Sequence, residues 1–313
     1  MEQSLLQVAA LPVNYFLRQT RSMIMEAKKV VIPVAGWGTR SLPATKNIPK
    51  EMLPIYKKPA VQHVVEEAIE ADLTNVVFVT NQQKRILEDH FDYNLALEAV
   101  LRRTNKEYLL REVRQVAEMA NIISVRQKEQ LGLGHAVLCA REVVSKEPFA
   151  VMVGDDLMFS RRPAIKQLLE AAKTEHMSVV GVVEVSRESV SNYGIIQGEE
   201  ISPGLYRIRN VYEKPRVEDA PSRLAIVGRY VLTPEIFEHL ETLEPGHNLE
   251  YQLSDALQSM ARNKRLLAVK LEGQRYDIGN WVDYLSANIH FALQDDELKS
   301  DLLKNLEEFL PRR

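Results

Sequence analysis

The stretch "VVIPVAGWGTRSLPATKNIPKEMLP", Val30–Pro54, decides the fold. It opens as an uninterrupted apolar run, the pattern of a strand covered on both faces, and then turns into glycines, prolines and cations. Pro43, Pro49 and Pro54 stand too close together for a helix to form between Ser41 and Lys58, because each removes a backbone donor and clashes with the preceding turn. The first strand therefore feeds a long ordered loop. Connections in such sheets usually take ~2–6 residues, and irregular ones beyond ~12–15 tend to serve a function or to be disordered. This one carries Arg40, Lys46 and Lys50 against a single nearby acid, Glu51. Gly36 and Gly38 permit close backbone approach, and amides exposed at the carboxyl end of a parallel strand can cradle an anion. A phosphate chain would supply the missing negative charge. The plainer reading is a glycine turn with solvated cations. A dinucleotide fingerprint would need a third glycine and a P-loop would need GK[ST], and neither is present.

Downstream, short β-branched runs alternate with helical patterns: a helix from Pro59 to Ala71, then "NVVFVT", "NIISVR" and "FAVMV". Val61, Val64, Val65, Ala68 and Ile69 form one apolar stripe, so that helix packs a face on the sheet. This is the signature of parallel strands joined by crossover helices. From Ser178 to Leu232 strand patterns follow one another without helices, which predicts a small antiparallel extension beside the parallel sheet. Helices are expected again over 233–242, 252–261, 281–291 and 295–309, with "LLAVKL" as a strand between them. The fold class is α/β, a Rossmann-like three-layer arrangement with a mainly parallel mixed sheet flanked by helices. Residues 28–313 are expected to form a single domain, and no repeat of solenoid length recurs.

Of the 313 residues, 45% are hydrophobic and 27% charged, with a formal net charge of -3. Nothing in that balance calls for nucleic acid or an anionic membrane as partner. Cys139 is the only cysteine, which excludes an intrachain disulfide and suits a cytoplasmic protein. Residues 1–27 contain an apolar run broken by Pro12 and Asn14, too short to span a bilayer, with Arg18 and Arg21 after it where a secretory signal has its cations before. The expectation is a flexible extension, or a start site placed too far upstream of Met23 and Met25.

"AGxGTR" followed by "LPATKxIPKEMLP" resembles the signature loop of bacterial sugar-1-phosphate nucleotidylyltransferases. The resemblance runs from Lys28 to roughly Phe309 and reappears in "RQKEQLGLGHAVLCA" (Arg126–Ala140), "FAVMVGDDL", "NYGII", "VYEKP" with "VGRYVL", and "RYDIGNWVDYL". It implies the nucleotide-diphospho-sugar transferase fold and transfer of the uridylyl group of UTP to glucose 1-phosphate, with release of pyrophosphate. It implies that Arg40 and Lys50 act on the phosphates, and that Ala35, Gly36, Gly38, Thr39, Gln127, Gly132 and Asp155 bind the nucleotide. Gln127 and Gly132 would read the uracil edge. Gly194, Glu213 and Lys214 would hold the sugar phosphate, within a sugar-binding portion of about 178–232. Asp155 and Asp277 would bind Mg2+. Lys46, Glu51, Asp156 and Glu250 stand in second rank. For Asp156 the alternative is a helix cap, for Glu250 likewise, and His135 and Cys139 are assigned to packing. Where many relatives read Leu-Pro-Asp, this chain has Val153-Gly154-Asp155. A homodimer or homotetramer is implied as well. Three rivals stay open: a dTTP-using or other hexose-1-phosphate nucleotidylyltransferase, a non-catalytic relative that binds nucleotide sugars, and a nicotinamide-binding oxidoreductase, which the absent third glycine disfavours.

Overall fold

A computed structural model describes residues 25–246 and 249–309. In chain order the elements are β1 (Lys29–Pro33), β2 (Pro54–Ile55), β3 (Lys58–Pro59), α1 (Ala60–Glu70), β4 (Asn75–Thr80), α2 (Arg85–His90), α3 (Leu95–Arg103), α4 (Glu107–Glu118) and β5 (Asn121–Arg126). Next come α5 (Gly132–Cys139), α6 (Arg141–Val144), β6 (Phe149–Met152), β7 (Asp156–Phe159), α7 (Ala164–Glu175), β8 (Ser178–Glu184), β9 (Gly194–Ser202), β10 (Leu205–Glu213) and β11 (Leu224–Leu232). The chain closes with α8 (Glu235–Glu241), α9 (Leu253–Arg262), β12 (Leu266–Lys270), β13 (Gln274–Asp277), α10 (Trp281–Ala292) and α11 (Asp296–Phe309).

Nine of these strands form one mixed sheet in the order β5-β4-β1-β6-β11-β8-β12-β10-β9. β5, β4, β1 and β6 run parallel, as the crossover pattern requires. Side chains alternate across a strand, and the apolar run uses both directions. Val30 and Ile32 enter a core shared with α1 and α7, whereas Val31 enters one shared with α5, α8 and α9. Helices thus cover both faces, giving three layers. Each fully buried Val, Ile or Phe contributes about 1.5–3 kcal/mol, so a fully apolar strand between two such cores is strongly fixed in place.

The segment Ser178–Leu232 differs from expectation in position. β9 and β10 do form an antiparallel hairpin at the sheet edge, but β11 is inserted between β6 and β8, antiparallel to both, and β8 is parallel to β12. Two of its strands therefore belong to the middle of the sheet. Their nearly continuous apolar sequences, buried on both faces, fit a central position better than an edge. A short 3-10 helix, Arg187–Asn192, also interrupts the segment.

Residues 1–24 of the expected extension lie outside the described residues, as does Leu310 of the late amphipathic pattern. Met25 is buried in the core beneath β1, so packing starts before Lys28. A buried ion pair locks α1 to the sheet: Arg229 of β11 donates to both Glu67 oxygens at 2.6–3.2 Å, and Glu67 also accepts the Ile165 N–H at 2.9 Å.

Candidate active site

In an open α/β sheet, ligands bind beyond the carboxyl ends of the strands where the strand order reverses. Here the chain builds β4 and β5 on one side of β1 and then returns to place β6 on the other. The loop after β1 and the turn after β6 therefore meet at one crevice. Three ties hold the loop there. Asn81, just past β4, donates its Nδ2 to the Ala35 carbonyl at 2.7 Å. The Thr45 hydroxyl donates to the Gly38 carbonyl at 2.8 Å. Buried Glu51 pairs with buried Lys84 at 2.8 Å. The prolines exclude an α-helix, as the sequence requires, yet two single 3-10 turns fit between them, Thr39–Ser41 and Lys50–Met52. The second turn starts directly after Pro49 and points Lys50 inward. Gly38 has φ +67°, and a Cβ there would lie 3.3 Å from the Lys50 Cβ, so glycine both allows the left-handed turn and leaves room for the Lys50 stem.

The four groups expected to carry the chemistry come together. Lys50 Nζ lies 2.5 Å from Asp155 Oδ2, and the Arg40 guanidinium lies 4.0 Å from Asp155 and 3.5 Å from Asp277. Burial works against the charge on Lys50, but Asp155 and then Glu51 outweigh it and hold the ammonium above its usual pKa. Burial likewise opposes ionisation of Asp155, and the adjacent Lys50 with Arg40 overrides it, holding the carboxyl below its usual range. Both groups are thus charged at neutral pH.

Asp155 and Asp277 reach the same place through strand pairing. β7 and β13 form a two-stranded antiparallel ribbon in which Asp277 stands opposite Asp156, so Asp155, one residue earlier, arrives beside it. The Ile278 N–H donates to the Asp155 carbonyl at 3.1 Å, closing the ribbon end. Asn280 caps α10, its Oδ1 accepting the Val282 N–H at 2.8 Å. At Gly154 a Cβ would come within 2.8 Å of Val34, so here the backbone packs closer to β1 than the proline found in many relatives would allow.

A cleft of about 660 Å³ opens at this point, lined by Arg40, Asp155 and Asp277 together with Gly194, Glu213 and Lys214. Lys214 has φ +45°, rare for a side chain other than glycine or asparagine, and its N–H is fixed by the Tyr193 carbonyl at 3.0 Å. "EKP" alone reads as a surface turn, but residues before proline normally stay extended, so it gave no sign of the positive φ. Backbone held in a sparsely populated region costs about 1–3 kcal/mol and clusters where function requires it.

Of the other expected residues, Asp156 also lines this cleft and the rest lie elsewhere. Asp156 is not a helix cap: it lies in β7, accepts from Arg275 Nε at 2.8 and 3.0 Å, and accepts the Gly228 N–H at 3.0 Å. Glu51 is turned away from the cleft to Lys84, with burial pushing its carboxyl pKa up. Thr39 and Lys46 line a separate depression with Trp37 and Lys84. Glu250 accepts from Gln252 at 2.9 Å and lies beside Gly132, and α9 has no side-chain cap. Buried Gln127 donates to the Gly132 carbonyl at 3.1 Å and contacts His135 Nδ1 at 3.0 Å, which gives His135 a polar role that packing alone did not anticipate. Gln127 lines a smaller pocket with Trp37 and Asn81. Sequence reasoning missed Asn81, Lys84, Tyr193 and Arg275. Tyr193 and Arg275 had a signal, their places in "NYGII" and "RYDIGNWVDYL".

The fold and this cleft define a nucleotidyl transferase. The sequence profile of the Nucleotidyl transferase family matches residues 29–294, and the chain belongs to that family. UTP–glucose-1-phosphate uridylyltransferase of Staphylococcus haemolyticus is 46% identical over 283 residues, covering 90% of this chain and 98% of that protein. A UDP-glucose pyrophosphorylase crystallised with UDP-glucose superposes with a TM-score of 0.79 at 44% identity, over 86% of this chain and all of the other. A UTP-bound UGPase from Acinetobacter baumannii does so with a TM-score of 0.84 at 36% identity, over 91% and 100%.

Proposed function

We propose that this chain transfers the uridylyl group of UTP to glucose 1-phosphate, giving UDP-glucose and pyrophosphate. The observation that carries this reading is that Arg40 and Lys50 both meet Asp155, that Arg40 also reaches Asp277, and that Arg40 and the two aspartates line the same cleft as Glu213 and Lys214. An oxygen of the sugar phosphate attacks the α-phosphorus as the bond to the β-phosphate oxygen breaks. Chemistry of this type needs positioning and charge neutralisation more than a proton shuttle. Two unit charges 4 Å apart repel by about 4 kcal/mol at an effective dielectric of ~20, and two polyanions must approach closer than that.

Lys50 takes the α-phosphate and the incoming phosphate, Arg40 the β- and γ-phosphates, and Lys214 the sugar phosphate from the other side. Glu213 accepts from glucose hydroxyls and Gly194 offers its backbone. Ala35, Gly36, Gly38 and Thr39 follow the nucleotide, and Gln127 with Gly132 reads the uracil edge. Asp155 and Asp277 fit a magnesium ion. Among the described residues no cluster of three or more metal-ligating side chains exists, but Mg2+ is usually held by one or two carboxylates with substrate phosphates and water completing its shell. When bound there, it supplies positive charge to the α-phosphate and the departing pyrophosphate. Arg40 and Lys50 rest on those carboxylates, which holds them at the place where phosphates would enter.

No helix among the described residues is long and apolar enough to cross a membrane, and a cytoplasmic enzyme is the reading we favour. Val282 and Leu285, 70% and 58% exposed on α10, support assembly as a homodimer or homotetramer. The test is pyrophosphate release with glucose 1-phosphate and each of UTP, dTTP, ATP and GTP, with and without Mg2+. Turnover with UTP and Mg2+ is expected to exceed the rest; equal or higher turnover with dTTP would move the chain to the rival branch.

A further inference from the structure

The cleft wall carries one more guanidinium. Arg275 and Asp277 are two residues apart in β13, so their side chains leave the same face of the strand, and both line the cleft. The Arg275 side chain is only 14% exposed. Its Nε donates to both Asp156 oxygens, and its Nη1 donates to the Tyr193 hydroxyl at 3.1 Å. The guanidinium carbon lies 5.0 Å from the Tyr193 ring centroid. Asp156 is itself held by the Gly228 N–H.

A guanidinium has five N–H donors. Among the described residues, Nη2 meets no acceptor, and it is not one of the sealed, unpartnered polar atoms. Its donors therefore open to the cleft. The Tyr193 hydroxyl accepts from Arg275, which leaves its own proton for another acceptor. Asp156 cancels the charge of Arg275 at contact distance. The wall thus presents fixed N–H and O–H donors and an aromatic ring but no net charge. Such a surface suits sugar hydroxyls. A phosphate has Lys50 and Lys214 nearby instead. Tyr193 also joins this wall to the sugar-phosphate end, since it directly precedes Gly194 and its carbonyl holds the Lys214 N–H.

We propose that Arg275, locked by Asp156, together with the Tyr193 hydroxyl, binds a ring hydroxyl of the acceptor sugar and helps select among hexose 1-phosphates. This rests on the reaction assigned above. The experiment compares glucose 1-phosphate with its 2-, 3-, 4- and 6-deoxy analogues at saturating UTP and Mg2+, in the wild type, Arg275→Lys and Tyr193→Phe. At the contacted position the wild type should lose about 10- to 100-fold in kcat/KM, the range for a hydrogen bond to a charged group. Arg275→Lys keeps the ion pair but not the fork. It should raise the KM for glucose 1-phosphate about tenfold, leave the KM for UTP unchanged, and abolish the discrimination at that one position. Tyr193→Phe, which removes a single hydroxyl, should weaken the same discrimination about threefold. Wild-type discrimination in both variants overturns the proposal. A rise in the UTP KM and the Mg2+ requirement in step with that for the sugar also overturns it, making Arg275 a strut for Asp277. A wild type that releases no pyrophosphate from UTP and glucose 1-phosphate overturns the reaction assignment itself, before any variant is compared.

Discussion

Lys50→Met separates two roles that one side chain combines. Lys50 and Asp155 are in contact at 2.5 Å with side chains 17% and 9% exposed. Removing one member of a buried pair leaves the other charge uncompensated, at about 3–5 kcal/mol. Arg40, 4.0 Å from Asp155 but 63% exposed, offsets part of this, so the loss should lie near the lower end. Turnover should fall by about 10²–10³, the usual loss for one oriented charge at a developing transition state. Lys50→Met/Asp155→Asn removes both charges. It should regain most of the stability and none of the activity.

The pH dependence follows from the same pair. In the wild type the Asp155 carboxyl lies below its ordinary range, because Lys50 and Arg40 override the effect of burial. That interaction stabilises the fold above the unfolded value of about 3.9 and is lost as pH falls through the lower folded one. Without Lys50, burial dominates and the folded value rises above the unfolded one. The deficit of Lys50→Met should therefore be small only below the lowered folded value of the wild type, grow as pH rises past the unfolded value of about 3.9, and reach its full size once pH passes the raised value of the variant. Chemical denaturation of the three proteins from about pH 2 to 8 measures this. A single variant as stable as the wild type at pH 8, or a double variant no more stable than the single, would refute the claim that the pair is held by charge.

Asp277→Asn should raise the Mg2+ requirement at least about tenfold while leaving thermal unfolding in EDTA unchanged; an unaltered metal titration would remove Asp277 from the ligand set. Glu67→Gln strands Arg229, which is 1% exposed, and should cost about 3–5 kcal/mol in denaturant; a loss below 1 kcal/mol would mean that water reaches the pair. Gly279→Ala would bring a Cβ within 2.6 Å of Arg40 Nη2. The flexible guanidinium gives way rather than the fold, so the KM for UTP should rise about tenfold with little change in melting temperature. A fallen melting temperature at unchanged KM would place Arg40 away from the nucleotide.

Local chemistry was legible in the sequence and pairing was not. The loop could be read because prolines, glycines and cations act over a few residues: Pro43, Pro49 and Pro54 exclude a helix whatever surrounds them. Asp155 could be read because a carboxylate ending an apolar strand demands a partner, whereas Asp277, which closes the polar strand Gln274–Asp277, was marked only by the family resemblance and its pairing with Asp155. Asp156 and Arg275 are 119 residues apart, and their contact exists only because β7 and β13 pair in one register. A one-residue slip would turn every side chain to the opposite face. Glu51 and Lys84 depend in the same way on the loop after β1 folding back toward the end of β4. Strand identity was likewise clear for β8 and β11, while their neighbours were not, since an apolar run carries no record of which strand lies beside it.

The charges explain how the arrangement holds itself together. Around the cleft, Arg40, Lys50, Lys214 and Arg275 are matched by Asp155, Asp277, Glu213 and Asp156, each pair in contact or within 4.0 Å. Clustered cations alone would repel one another and loosen the loop, and clustered carboxylates would do the same to the ribbon. Interleaved, the two sets hold each other in place. The arrangement also sorts the groups by task. Arg275 and Asp156 are both well buried and remain a pair, so they build the wall. Arg40 and Lys214, with side chains 63% and 57% exposed, can exchange a carboxylate for a phosphate at little cost in desolvation, because they are already partly in water. Lys50 lies between these limits. Its exchange from Asp155 to a phosphate must occur in a buried place, where an oriented charge acts most strongly on the transition state.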